Sequence, residues 1–223
     1  MLAINTGAAA AEPSLEDALA APAGDLAQAY LSTDYMLETV LPYAEMGFVD
    51  TIHVGGDKIT ARNASSYKKR YKKRKKTYLK AIRQRGQASL AGTYLGSATE
   101  SCARVKSYWI GVIESGDASE IRIEQDGMDA TLVLKVTHEG KSHSLKSEAA
   151  IVESSIAVAD EMNSDYYSLG EAKGDGIVIR PDIRVLEGWP DWSGPPTRDD
   201  ILGCSVELIP IDKVTKKEPQ SGQ

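Results

Sequence analysis

The chemistry this sequence can offer is concentrated in its cations. Lys68, Lys69, Arg70, Lys72, Lys73, Arg74, Lys75 and Lys76 stand in nearly unbroken succession, with Tyr67, Tyr71 and Tyr78 set among them. Lysine and arginine bind phosphates and carboxylates, and a tyrosine ring can stack on a base. Basic residues interleaved with aromatics therefore point to an acidic or polyanionic partner. Residues 58–99 hold 13 of the chain's 26 Lys and Arg and no Asp or Glu. The rest of the chain sets 13 basic residues against all 32 acidic ones, a net of −19.

Two further groups could do chemistry. Trp189-Pro-Asp-Trp192 places two indoles within four residues of a Gly- and Pro-rich loop. Such a pair can form a stacking surface for a small ligand or glycan, or an anchor for a protein. The plainer reading is that the indoles fold back and plug the end of a barrel. Cys102 and Cys204 are the chain's two cysteines and bracket most of its second half. They form a disulfide if the first and last strands of that half lie side by side, and are otherwise two separate buried thiols. The first case places the protein outside the cytoplasm and the second inside it.

Motifs for catalysis are missing. There is no Gly-x-Ser-x-Gly elbow, no phosphate-cradling glycine loop, no dinucleotide fingerprint and no His-Glu-x-x-His. The sequence leans away from an enzyme without excluding one. Glu161, Asn163 and Asp165 alternate like the start of a calcium loop. Tyr166 then stands where that loop needs glycine, and Ala172 where it needs a bidentate glutamate. His53, His138 and His143 are scattered. No metal and no cofactor is expected. No run approaches the ~20 apolar residues of a membrane span. Met1–Ile4 is too short an apolar stretch for a signal peptide, and Gly7–Pro13 reads as a small-residue linker, which fits either a stretch following a removed signal peptide or a frayed native N-terminus.

These groups need elements to position them. Residues 1–13 read as disordered. Ser14-Leu-Glu-Asp17 has the form of a capping box opening a helix through Ala20. Pro22 and Gly24 break it, and Asp25 caps a second helix that Ser32-Thr33-Asp34 can split and Pro42 should end or kink. A hairpin follows, from Phe48–Val54 through Gly55-Gly56-Asp57 to Lys58–Ala61. Asn63–Ser66 then cap the basic helix, over about 64–86, which Gly86 stops. From Leu90 onward short strands recur with turns between them: Gly92–Gly96, Arg104–Ile113, Glu120–Gln125, Ala130–Val136, Ser144–Val152, Ser155–Ala159, Tyr166–Gly170, Gly176–Arg180 and Cys204–Ile209. Residues 187–203 read as a long loop. The fold class is α+β: a helical region with a small hairpin (14–63), the basic helix (64–86), an antiparallel β-barrel or β-sandwich (90–211) and a disordered tail (212–223).

The basic helix is poor at standing alone, because like charges four residues apart repel by a few tenths of a kcal/mol each, and it needs a counter-surface. Its apolar residues Tyr67, Tyr71, Tyr78 and Ile82 share one face, interrupted by the cations at 74 and 75. Its counter-surface can be nucleic acid, an anionic membrane, or protein. The plain alternative is a linker helix that docks its tyrosine stripe on one half of the chain. The acidic remainder would repel a polyanion, which favours protein. The leading expectation is thus an interaction or assembly protein whose basic helix meets an acidic protein surface or a second copy. A nucleic-acid-associated protein comes next, and a ligand- or glycan-binding barrel with the Trp189/Trp192 loop at its mouth third.

Overall fold

The computed structural model describes residues 12–47, 50–54, 57–105, 108–116, 118–138, 141–160, 163–182 and 197–214. Trp189 and Trp192, the Gly55-Gly56 turn, Phe48, Glu161 and the tail beyond 214 lie outside the described residues, as do the side chains of His53, His138, Asn163 and Asp165.

The capping box forms as its spacing predicts. Ser14 Oγ accepts from the Asp17 amide (3.0 Å) and the Asp17 carboxylate accepts from the Ser14 amide (3.0 Å), opening α1 (Leu15–Ala20). The second helix starts earlier than expected, at Ala23 after Pro22, and α2 (Ala23–Tyr35) runs unbroken through Ser32-Thr33-Asp34. Pro42 does not end the helical path. A π-helical turn, Met36–Val40, precedes it and leads into α3 (Leu41–Met46), which holds Pro42 in its first turn. Proline lacks the N–H that an α-helical ladder requires there, and the wider turn absorbs the mismatch. Gly47, at φ 70°, closes α3. Strands β1 (Ile52–Val54) and β2 (Asp57–Ile59) pair as an antiparallel hairpin, and α4 (Ala64–Arg85) follows.

The β half is a closed barrel, which settles the choice between barrel and sandwich. Its strands are β3 (Gly92–Ala98), β4 (Ala118–Asp126), β5 (Asp129–His138), β6 (Lys141–Val152), β7 (Ser155–Asp160), β8 (Asn163–Lys173), β9 (Gly176–Pro181) and β10 (Val206–Pro210). Each pairs antiparallel with the next in sequence, and β10 returns to pair with β3, Val206 opposite Ala98 and Pro210 opposite Tyr94. Alternation sends Ile121 and Ile123, Leu132 and Leu134, Ile156 and Val158, and Ile177 and Ile179 into the lumen. The barrel interior is a packed core, as small barrels require.

Three stretches differ from expectation. Arg104–Ile113 is not a strand. Glu100–Arg104 is a 3-10 turn and Tyr108–Glu114 is α5. Trp109, Ile110 and Ile113 are all buried, a spacing of one and three that belongs to a helix face, and they join the barrel core. The end of the expected 187–203 loop is α6 (Arg198–Gly203), opened by a second capping box between Thr197 and Asp200. The start of the expected tail is helical, α7 (Ile211–Val214).

Candidate functional site

The basic helix owes its stability to what its apolar face covers. It lies against α1, α2 and α3, and its burial falls into two halves. In the first, Ala64 and Tyr71 pack with Met36, Leu37, Leu41, Ala44 and Ile59. In the second, Tyr78, Ala81 and Ile82 pack with Leu26, Tyr30 and Leu31 of α2 and with Ala150, Val152 and Ala157 on the outer wall of the barrel. The cations that interrupt the stripe sit where these clusters part. The Arg74 guanidinium lies 5.1 Å from the Tyr71 ring centre, and the Lys75 ammonium 5.8 Å from that of Tyr30 while pairing with Asp34. A cation over an aromatic face replaces apolar contact there. Arg70 stands likewise over Tyr67, at 5.0 Å. Burial first, then the hydrogen bond it donates to Asp129 (2.9 Å), hold the Tyr30 phenol well above its ordinary range.

The ends of α4 are pinned by polar contacts. Asn63 accepts from the Thr60 amide (2.7 Å) and donates to the Lys58 carbonyl (2.9 Å), closing the turn out of β2. At the other end Gly86 turns the chain at φ 79°, and Arg85 forks onto the Glu153 carboxylate through Nε (2.9 Å) and Nη2 (3.1 Å). The same guanidinium donates to the Ala21 carbonyl.

The eleven residues expected to bind a partner therefore divide. Tyr71 and Tyr78 are buried in the chain's own core, and Tyr67 is half-buried. Lys68 pairs with Glu45 (2.7 Å), Lys73 with Glu12 and Lys75 with Asp34. Lys69, Lys72 and Lys76 face solvent and enter no ion pair with another described residue. Lys80 and Arg83 share that condition and that face. These two lie outside the dense run; the spacing 69, 72, 76, 80, 83 marks them, because steps of three and four trace one side of a helix. The five cations climb α4 at intervals of about 4.5–6 Å.

Two grooves lie on the barrel's outer surface. One, of about 250 Å³, runs between the α2 end and the barrel wall. Leu31 and Ala159 contribute apolar surface, Tyr35 and Tyr167 line it, and Asp34, Glu38, Glu148 and Asp160 make it acidic. The other, of about 170 Å³, places His143 beside Glu120, Arg122 and Lys135 on the outer strands. Among the described residues, no three His, Cys, Asp or Glu side chains come together as a metal site. No described helix is long and apolar enough to cross a membrane.

Cys102 and Cys204 are bonded to one another and fully buried. Cys102 sits in the 3-10 turn after β3, and Cys204 just before β10. The bond lies beside the seam that closes the barrel. Thr99 reinforces it, donating to the Gly203 carbonyl (2.8 Å) and accepting from the Ser205 amide (3.0 Å).

Compared with known proteins, the chain matches no family model, no curated protein and no solved structure.

Proposed function

We propose that this chain is a non-enzymatic interaction protein that docks the outward face of α4 on an acidic protein surface, in a compartment oxidising enough to keep its disulfide. The observation that carries this reading is the row Lys69, Lys72, Lys76, Lys80 and Arg83, which stays solvent-facing while the helix's other cations meet a carboxylate or a tyrosine ring of the chain. A row of cations at regular spacing on a helix held by its opposite face is a preorganised electrostatic surface.

Three observations favour protein over the other polyanions. Of the three tyrosines that could stack on bases, Tyr71 and Tyr78 are turned inward and Tyr67 is half-buried with Arg70 over its ring, so a nucleic acid would meet mainly charge. The outward face has no apolar strip to enter a lipid boundary. The disulfide is at home outside the reducing cytosol, away from most nucleic acid.

Fluorescence anisotropy with a labelled oligoglutamate peptide and a labelled single-stranded oligonucleotide tests the reading. The protein is expected to bind the peptide at low salt, with affinity falling as salt rises. The variant Lys72→Glu/Lys76→Glu/Lys80→Glu should bind at least about tenfold more weakly. No peptide binding at low salt, or an unchanged affinity in the triple variant, would overturn the proposal. Binding to the oligonucleotide alone would transfer the surface to the nucleic-acid reading.

A further inference from the structure

We infer that the acidic surface meeting α4 is carried by a second copy of this chain, in the groove between α2 and the barrel wall. This rests on the docking face proposed above and names its partner. The groove is built for a cation on an aliphatic stem. Leu31 and Ala159 offer apolar surface to methylenes, and Glu38 and Glu148 offer carboxylates to an ammonium or guanidinium. Glu38 and Glu148 come from separate elements, the π-helical turn and β6, which the packing of α2 on the barrel brings together. Both are exposed, and neither enters an ion pair with a described residue.

The chain's own α4 supplies the matching half. Five cations on long stems face solvent along one side of that helix. They cannot turn back to their own groove, because the opposite face of α4 is the one docked on the chain. At the seam with α2, Lys75 already takes Asp34. Each copy thus exposes cations in one place and carboxylates in another that are unpaired among the described residues. A twofold pair satisfies both halves twice, since each copy offers its helix to the groove of the other. The charge count agrees: a +13 stretch joined to a remainder of −19 attracts the unlike region of a neighbour while like regions repel. Exposed ion pairs are individually weak, so the pairing is reversible and sensitive to salt.

Sedimentation velocity over a range of protein concentrations tests this, with Lys72→Glu/Lys76→Glu/Lys80→Glu on the helix and Glu38→Lys/Glu148→Lys on the groove. The unaltered chain should shift from monomer toward dimer with concentration at about 0.05 M salt and return to monomer at about 0.5 M, where charges are screened over a few ångströms. Either variant alone should stay monomeric. An equimolar mixture of the two should recover the dimer, because each contact then regains opposite signs. An unaltered chain that is monomeric throughout at low salt overturns the inference, as does self-association that persists in Glu38→Lys/Glu148→Lys. A monomeric chain that still binds oligoglutamate through α4 overturns only the self-pairing. Loss of both overturns the docking face as well.

Discussion

At the residue scale, Glu153 shows how the helical and β halves are locked together. It occupies the two-residue turn between β6 and β7 at φ 53°, a left-handed conformation that costs a non-glycine residue. Its backbone is held from both sides: its amide donates to Gly86 (2.9 Å) and its carbonyl accepts from Ala88 (2.6 Å). Its carboxylate takes the Arg85 fork, and that hydrogen bond holds its pKa below the ordinary carboxyl range. A lowered folded pKa means that the pair stabilises fully above the unfolded carboxyl pKa, and that this contribution fades as pH falls through the folded value. Arg85→Ala is therefore expected to lower stability by about 1–2 kcal/mol at neutral pH, given one fork and a lost contact to Ala21. The difference from the unaltered chain should shrink below about pH 4. Denaturant midpoints at pH 7 and pH 3.5 check this, and an equal loss at both would show that packing, not the ion pair, sets the effect.

At the scale of elements, what was legible in the sequence followed from local period. The capping box at Ser14, the Tyr71/Tyr78/Ile82 face and the alternating strands from Glu120 onward all carry their signal within a few residues, and all form. Arg104–Ile113 differs from expectation because ten residues of which six are apolar fit both a strand and a helix. Only the barrel core, which Trp109, Ile110 and Ile113 join, decides between them. The candidate site was legible by half. Charge segregation marks α4, but Glu12, Asp34, Glu45 and Glu153, which claim part of its charge, come from four separate places in the chain. Strand packing has its own hidden requirement. Gly170 in β8 faces the lumen, where a Cβ would lie 2.7 Å from Ile179 Cγ1, 2.9 Å from Ile156 Cγ2 and 3.2 Å from the Val178 carbonyl oxygen. The last is backbone and cannot swing aside. Gly170→Ala should cost about 1–3 kcal/mol, read as a lower thermal midpoint, despite the usual gain from replacing glycine in a strand. A neutral or raised midpoint would mean that the lumen repacks freely.

At the scale of the whole molecule, the pairing that makes the barrel is the one no local pattern encodes. Strands β3 to β10 form by successive antiparallel neighbours, but β10 must also find β3 across the length of the domain. Among the strand pairs of the barrel, joining these two distant segments carries the largest loop-closure entropy. The Cys102–Cys204 bond spans 102 residues and sits at that seam, so it confines the unfolded chain where closure is hardest. Cross-linking over a loop of this length stabilises by about 2–5 kcal/mol. The variant Cys102→Ala/Cys204→Ala should lose about that much in denaturant unfolding. Reductant should lower the midpoint of the unaltered chain and leave the double variant unmoved. Because the seam joins the first and last strands, the loss should also appear as faster hydrogen exchange in β3 and β10 than in β5 and β6, which pair through neighbouring turns. Uniform acceleration across all eight strands would mean that the bond stabilises the barrel as one cooperative unit and that β10 is no more exposed to opening than its neighbours. Loss confined to the seam would instead identify the disulfide as the clasp of the barrel.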